Sequence, residues 1–493
     1  MTTVRLLLPR ADARRWHLAL RARLESAGLR VTVEEARSAP QPLAMRLCEE
    51  LERLIYGARG SGLCERVDAP FAETVADGAA TTLDLSGAPA PAKGAIAPLY
   101  DGEPGDAARD AALLDGRMPR LALARESDGR FEILAEGLPA HERPWSLRAG
   151  REAIAARILV LAPLALRDNA RSDARRTRPV ALPRKPLTFL VASLVGRARA
   201  RLARLIAHDQ HWRIGWRPLG AEGGVMAQRA WGEGAWTWLA DDRQRYYADP
   251  FPFEHEGRLY LFCEEYPYAT GKAVVSVVAF DREGWPAAPR VVLEADCHLS
   301  YPVVFRHDGE IWMMPESSAG HRLDLYRAER FPDRWVRDRT LVAGVAISDA
   351  TPFAADGRWW LTATVAEEGG SSWDCLSLYS GSSPVGPWTR CGDAPVLVDA
   401  SCARPAGHVQ SIGGALWRPA QDCVGGYGAG LALCRIDNVG EDGFSQTVAA
   451  RLGPPPGAPP DGVHTLNLGG GFEFIDAVGP QGKRAPQDTE RAP

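Results

Sequence analysis

The sequence predicts a small α/β N-terminal domain followed by an all-β, five-bladed β-propeller. Three observations predict it. A strand–turn–strand pattern recurs five times in the second half of the chain. Strands alternate with helices in the first third. A basic, proline-containing stretch separates the two parts.

The repeat is plainest over residues 247–265, where alternating aromatic and polar residues run to a turn at Gly257 and return to Glu264 and Glu265. Alternation about a turn glycine is the hairpin signal. Further copies follow around Gly309, Gly357, Gly414 and Gly469, at spacings of 52, 48, 57 and 55 residues. Seven residues after these glycines stand Glu264, Glu316, Thr364, Gln421 and Asp476, and eight before the first three stand Asp249, Tyr301 and Asp349. In the last two copies several glycines compete for the turn. A period of roughly 50 residues carrying short strands reads as one four-stranded blade per repeat. The two ends of a hairpin lie together, so Asp249, Glu316, Asp349 and Asp422 are expected to meet at one mouth of the central channel.

Taken in order, residues 4–8 read as a buried strand. Residues 11–27 read as a helix with Trp16, Leu20 and Leu24 on one face, and Gly28 as its cap. Residues 29–33 make a second strand, 43–56 a second helix and 81–86 another strand. This alternation predicts a three-layer α/β domain over 1–165. Neither G-x-G-x-x-G nor G-x-x-x-x-G-K-[ST] occurs, so no nucleotide cofactor is expected. The linker, 166–211, is basic: residues 167–217 hold 13 Lys/Arg against 3 Asp. Within it, 189–208 has helical spacing. Leu190, Leu194, Ala198, Leu202 and Ile206 share one face; Arg197, Arg201 and Arg204 share another. Such a helix lies on an anionic membrane surface or, more commonly, docks on a neighbouring element. The propeller is expected over 212–478 and a disordered tail over 479–493.

Composition narrows the function. Hydrophobic residues at 45% and charged residues at 24% are ordinary for a globular protein. The net charge of −4 and the lack of aromatic interleaving in the basic segment argue against nucleic acid. The nine cysteines are odd in number and contain no C-x-x-C pair. That favours scattered thiols, no metal site and a cytoplasmic protein, peripheral to a membrane at most. Arg5, Arg10, Arg14 and Arg15 interrupt the first apolar stretch and argue against a signal peptide.

An ordered set of motifs carries a family resemblance: Ala248-Asp249-Pro250-Phe251, Glu264-Glu265, Gly271-Lys272, His298-Leu-Ser-Tyr301-Pro302, Pro315-Glu316-Ser317, Leu325-Tyr326-Arg327, Phe331-Pro332-x-x-Trp335 and Arg418-Pro-Ala-Gln421-Asp422. Over about 212–478 the chain resembles the propeller-like N-terminal domain of plant glucosamine inositolphosphorylceramide transferases and its bacterial relatives. The resemblance implies glycoconjugate biosynthesis. In the plant proteins it implies a separate C-terminal glycosyltransferase domain, and no such stretch follows here. More distantly, the propeller is similar to five-bladed glycoside hydrolases. That likeness implies Asp249 as the first-strand carboxylate, Glu316 as the acid and Asp349 as its tuning partner. The first 165 residues faintly resemble a formyltransferase domain without the Asn-x-His motif of an active one.

Glycosidic chemistry needs one protonated and one ionised carboxyl across the bond. Asp249, Glu316 and Asp349 are the catalytic candidates. Glu264, Glu265, His298, Tyr301, Arg418, Gln421, Asp422 and His464 are the substrate-binding candidates, with Trp312 as a further sugar-stacking ring and Arg418 pairing with Asp422 as the plainer alternative. The expected ligand is a carbohydrate or glycolipid. Two rival readings stand beside an enzyme: a non-catalytic glycan-binding module partnering a separate glycosyltransferase, and a protein-binding scaffold. The structural alternative for the hairpin-end carboxylates is that they bond backbone N–H groups of the next blade and hold the ring closed.

Overall fold

The computed structural model describes residues 2–483 apart from 10–11, 37–40, 57–60, 68–80, 128, 168–171, 174–184 and 442. Residues 168–171 and 174–184 of the linker and the tail beyond 483 therefore lie outside the described residues. The chain divides into two compact units, residues 1–197 with 367–371, and residues 198–366 with 372–493.

The first unit is an α/β sheet. Strands β1 (Thr3–Pro9), β2 (Arg30–Ala36), β3 (Thr81–Asp84) and β4 (Ile96–Tyr100) pair in parallel in the order β2-β1-β3-β4. Strands β5 (Glu103–Pro104), β6 (Leu121–Ser127), β7 (Arg130–Gly137) and β8 (Ser172–Asp173) extend it antiparallel. The helices are α1 (Arg15–Ser26), α2 (Leu43–Tyr56), α3 (Asp106–Leu114), α4 (Leu147–Ala165) and α5 (Pro186–Ile206), of which residues 186–197 belong to this unit. Leu20 and Leu24 of α1 are buried, whereas Trp16 is only partly so. The start of α4 is held by α2. Buried Glu52 accepts from Ser146 Oγ at 2.9 Å, Leu147 N at 2.9 Å and Arg148 N at 3.0 Å. A carboxylate there answers the unpaired N–H groups and positive end of the helix.

The second unit is the five-bladed propeller that the repeat predicts. Its blades are separate sheets with four strands along each path, and the third sheet carries one extra strand. Blades one to four run along the chain, beginning at Arg245, Ser300, Ile347 and Gln410. The fifth is shared by the two ends of the repeat: Leu466–Gly469 and Phe472–Gly482 pair with Ala207–Pro218 and Thr237–Trp238. The ring thus closes through strand pairing between residues more than 250 apart. Strand pairing starts at Ala207 and runs to Gly482, wider at both ends than 212–478, because Gln481 and Gly482 pair with His208 and Ala207.

The turns at Gly257, Gly309 and Gly357 form as predicted. Each follows a residue with φ near +50° (Glu256, Asp308, Asp356), so both central positions are left-handed, as a two-residue hairpin loop with a primed turn requires. Blade four turns at Gly413-Gly414. Blade five turns at Gly470-Gly471 rather than at Gly469, because Gly469 itself pairs with Phe472.

A second irregularity repeats. In blades one, two and three the first strand slips register between Ala248 and Phe251, Ser300 and Val303, and Ser348 and Thr351. The residues inside these bulges, Asp249, Tyr301 and Asp349, have φ of 51°, 46° and 52°. Each bulge re-aims a side chain and leaves a backbone N–H without a ladder partner.

The turn and helix glycines separate by conformation. Gly309→Ala puts a side chain at φ +80° and is expected to cost about 1–2 kcal/mol. Gly196→Ala in exposed α5, with open space around it, is expected to gain about 0.5–1 kcal/mol. Chemical denaturation of the two variants checks the contrast.

Candidate functional site

The three bulges face one another through their side chains. The Asp249 N–H donates to Asp476 Oδ2 of blade five at 2.9 Å. The Tyr301 N–H donates to Asp249 Oδ2 at 3.0 Å. The Asp349 N–H donates to Glu316 Oε2 of blade two at 2.9 Å. Each orphaned bulge amide is therefore taken up by a carboxylate from the preceding blade. An unpaired buried N–H would cost about 1–3 kcal/mol, and the whole ring is buried.

Two polar clusters share this ring. In the first, Asp249 Oδ1 accepts from Thr465 Oγ1 at 2.9 Å and faces His464 Nε2 at 3.6 Å. His464 Nδ1 lies 2.7 Å from Asp476 Oδ2, and the imidazole stacks on Trp212 with centroids 3.9 Å apart. Burial pushes the Asp249 carboxyl up, against the pull of His464, to about 7. Burial opposes a charge on His464, but Asp476 and Asp249 outweigh it and raise its pKa. Ligand atoms of Asp249, His464 and Asp476 lie within 4.8 Å of one another, close enough to surround a metal ion. Asp476 Oδ1 and Oδ2 already accept backbone N–H groups from His464, Thr465 and Asp249.

The second cluster centres on Arg404. Its Nε lies 2.6 Å from Asp349 Oδ2 and its Nη2 3.6 Å from Glu316 Oε2, with Tyr427 stacked beneath at 5.1 Å. Burial works to raise the Glu316 carboxyl. Arg404 and hydrogen bonds from Asp349 and Ser318 outweigh it and hold Glu316 below its usual value. Burial pushes Asp349 well above its usual value, against the pull of Arg404 and with Glu316 beside it adding to the rise. Two carboxyls in contact resist ionising together, and the opposite shifts make Asp349 the one of the pair that holds a proton more readily. Gln421 Nε2 donates to Asp349 Oδ2 at 2.9 Å. Arg404 sits outside the hairpin motifs that the repeat search followed; its signal was a lone arginine in a loop between repeats.

Glu264 faces His298 Nε2 at 3.2 Å and receives the Tyr246 hydroxyl at 3.4 Å. The His298 side chain is 36% exposed, so this is the most open edge of the carboxylate group. Ala273 N–H reaches His298 Nδ1 at 3.3 Å, leaving Nε2 to donate to Glu264.

Several expected contacts take other forms. Glu265 turns to Arg245 at 2.5 Å and Ser276 Oγ at 2.6 Å. Tyr301 offers no face to a ligand: it is 1% exposed, and its hydroxyl meets Thr351 Oγ1 at 2.9 Å and Gly407 N–H at 2.6 Å. Trp312 packs in the core between blades two and three. Arg418 does not pair with Asp422. It is buried and donates to the carbonyls of Cys402 and Ala403 and to Gln446, while Asp422, at the end of its strand, pairs with Arg451 at 3.0 Å.

The motif resemblance is borne out. Residues 239–453 match the family described as glucosamine inositolphosphorylceramide transferase 1, N-terminal. A protein of that name from Oryza sativa subsp. japonica is 33% identical over 210 residues, and one from Arabidopsis thaliana is 30% identical over 207. The matches take up 42% and 40% of this chain but only 28% and 26% of those relatives. Among solved structures, the chain is similar to Zg3597, a family 117 glycoside hydrolase from Zobellia galactanivorans. That match has 12% identity and a TM-score of 0.36 over 54% of this chain and 90% of that one. It is also similar to CoXyl43, a GH43 β-xylosidase/α-arabinofuranosidase from a compost metagenome, with 12% identity and a TM-score of 0.36 over 48% and 91%.

Two outcomes test this site. Arg404→Met leaves the Glu316–Asp349 pair buried without its cation and is expected to destabilise by about 3–5 kcal/mol; Glu316→Gln in the same background recovers part of that. Asp249 (about 7 folded, about 3.9 unfolded) and His464, also raised, both bind protons more tightly when folded. Their contribution is therefore present at low pH and lost as pH rises, for Asp249 between about 4 and 7. Thermal melts from pH 5 to 8 should fall less steeply for Asp249→Asn than for wild type.

Proposed function

We propose that the propeller is the carbohydrate-handling module of a glycoconjugate or glycolipid biosynthetic protein, with the carboxylate ring as its ligand site. The observation that carries the reading is the division of labour among buried carboxyls. Asp249, near 7, holds or releases a proton at neutral pH. Glu316, held low beside Arg404, stays ionised. That is the acid and counter-charge pairing which glycosyl transfer or cleavage uses. Asp249 donates to a departing glycosidic oxygen, Glu316 stabilises positive charge on the sugar ring, and Asp349 tunes Glu316 by sharing its proton. Glu264 and His298 meet the ligand from the open edge. The match to the transferase family supports the substrate class.

One observation favours a second reading, a glycan-binding module that serves a separate glycosyltransferase. Asp249, Glu316 and Asp476 each already spend an oxygen on a neighbouring blade, which a purely structural ring requires.

A panel of sugars, glycolipid headgroups and sugar nucleotides separates the two, read by thermal shift and by released or transferred sugar. On the first reading Asp249→Asn keeps the stabilisation and loses turnover by roughly 10²–10⁴-fold. Stabilisation without turnover in the wild type selects the second. His298→Ala, at the open edge, weakens ligand binding on either reading without touching the ring. If no sugar shifts any form, both fail and a protein-binding scaffold takes their place.

A further inference from the structure

Two helices of this protein turn apolar faces to solvent. On α2 the exposed apolar side chains are Leu43, Leu47, Leu51, Leu54 and Ile55, with Leu43 at 69% and Leu54 at 75%. On α5, within the same unit, they are Leu187, Val191, Leu194 and Val195. Both sets recur at three- and four-residue spacing, so each is a single stripe. The buried sides are different residues: Met45, Cys48 and Glu52 on α2, Phe189, Leu190 and Ser193 on α5. Neither stripe is therefore the packing face of its helix. Glu52, buried at the start of α4, fixes which way α2 faces.

The helices lie side by side. Cys48 Sγ is 3.8 Å from the Pro186 carbonyl, and the Arg197 guanidinium sits 4.0 Å above the Tyr56 ring. Ser193 Oγ bonds the carbonyl of Trp145, whose ring is partly exposed and 5.7 Å from Arg197.

Charge selects the occupant. Helix α5 contains no Asp or Glu, and exposed Lys185 and Arg197 stand at the two ends of its stripe, while exposed Arg46 and Arg53 border that of α2. The acids of α2 are taken: Glu49 by Arg14 and Arg151, Glu50 by Arg53, Glu52 by the α4 cap. The segment that includes α5 carries 13 Lys/Arg against 3 Asp in a chain of net charge −4. Apolar stripes bordered by arginines with an aromatic at the edge match the boundary of an anionic bilayer. No described helix is long and apolar enough to cross a membrane. We propose that the paired faces of α2 and α5 bind an anionic lipid surface, with the leucines in the acyl boundary and the arginines among the headgroups.

Flotation of the full chain tests this, using vesicles of phosphatidylcholine alone and of phosphatidylcholine with phosphatidylglycerol. Binding should appear on the anionic vesicles, be absent or weak on the neutral ones, and decline with salt. Leu54→Glu/Val191→Glu should abolish it, and Arg46→Gln/Lys185→Gln should weaken it by about tenfold or more. All four positions are on exposed faces, so unchanged melting temperatures verify that the variants fold. Absence of binding at low salt, or equal binding to both vesicles, overturns the proposal. So does a concentration-dependent dimer that Leu54→Glu/Val191→Glu dissociates without any vesicle binding, which would assign the face to a second copy.

Discussion

The propeller depends on how it satisfies three backbone N–H groups. At Asp249, Tyr301 and Asp349 the inner strand bulges into the left-handed region and frees an amide from its ladder. Water is excluded there, so the amide needs an internal acceptor. A carboxylate from the preceding blade supplies it in each case. The bond that closes one blade onto the next thus places a charge on the channel, and structure and chemistry meet in the same side chains.

Buried carboxylates then need their own compensation. Asp249 and Asp476 find His464; Glu316 and Asp349 find Arg404. The two solutions have different consequences. Burial outweighs the pull of the imidazole and leaves the Asp249 carboxyl at about 7, whereas the guanidinium, with its hydrogen-bonding neighbours, outweighs burial and holds Glu316 below its usual value. One ring therefore contains a carboxyl able to move a proton and another unable to. A tight anion–cation pair is poor evidence for stability by itself. Here it sets one guanidinium against both Glu316 and Asp349, so neither carboxyl is buried without a cation beside it.

Much of this fold was legible in the sequence. Turn glycines at near-constant spacing, preceded in three copies by Glu256, Asp308 or Asp356, announced the hairpins. The position eight residues before each turn glycine picked out Asp249, Tyr301 and Asp349, which proved to be the bulge residues. Sequence alone missed what depends on tertiary partners. Arg418 and Asp422 are four apart on one regularly paired strand, yet each finds its partner elsewhere rather than in the other. Arg404 belongs to no repeat, yet it neutralises the centre of the site. In blade five three consecutive glycines left the turn ambiguous, and the pairing of Gly469 with Phe472 sets it at Gly470-Gly471.

Amide hydrogen exchange at Asp249, Tyr301 and Asp349 tests the capture of the bulge N–H groups most directly. The three amides should exchange only as fast as the whole propeller unfolds, and Asp476→Ala should selectively speed the Asp249 amide. Exchange at the rate of solvated loop amides in the wild-type protein would contradict the account, because the carboxylates would then be holding something other than the ring.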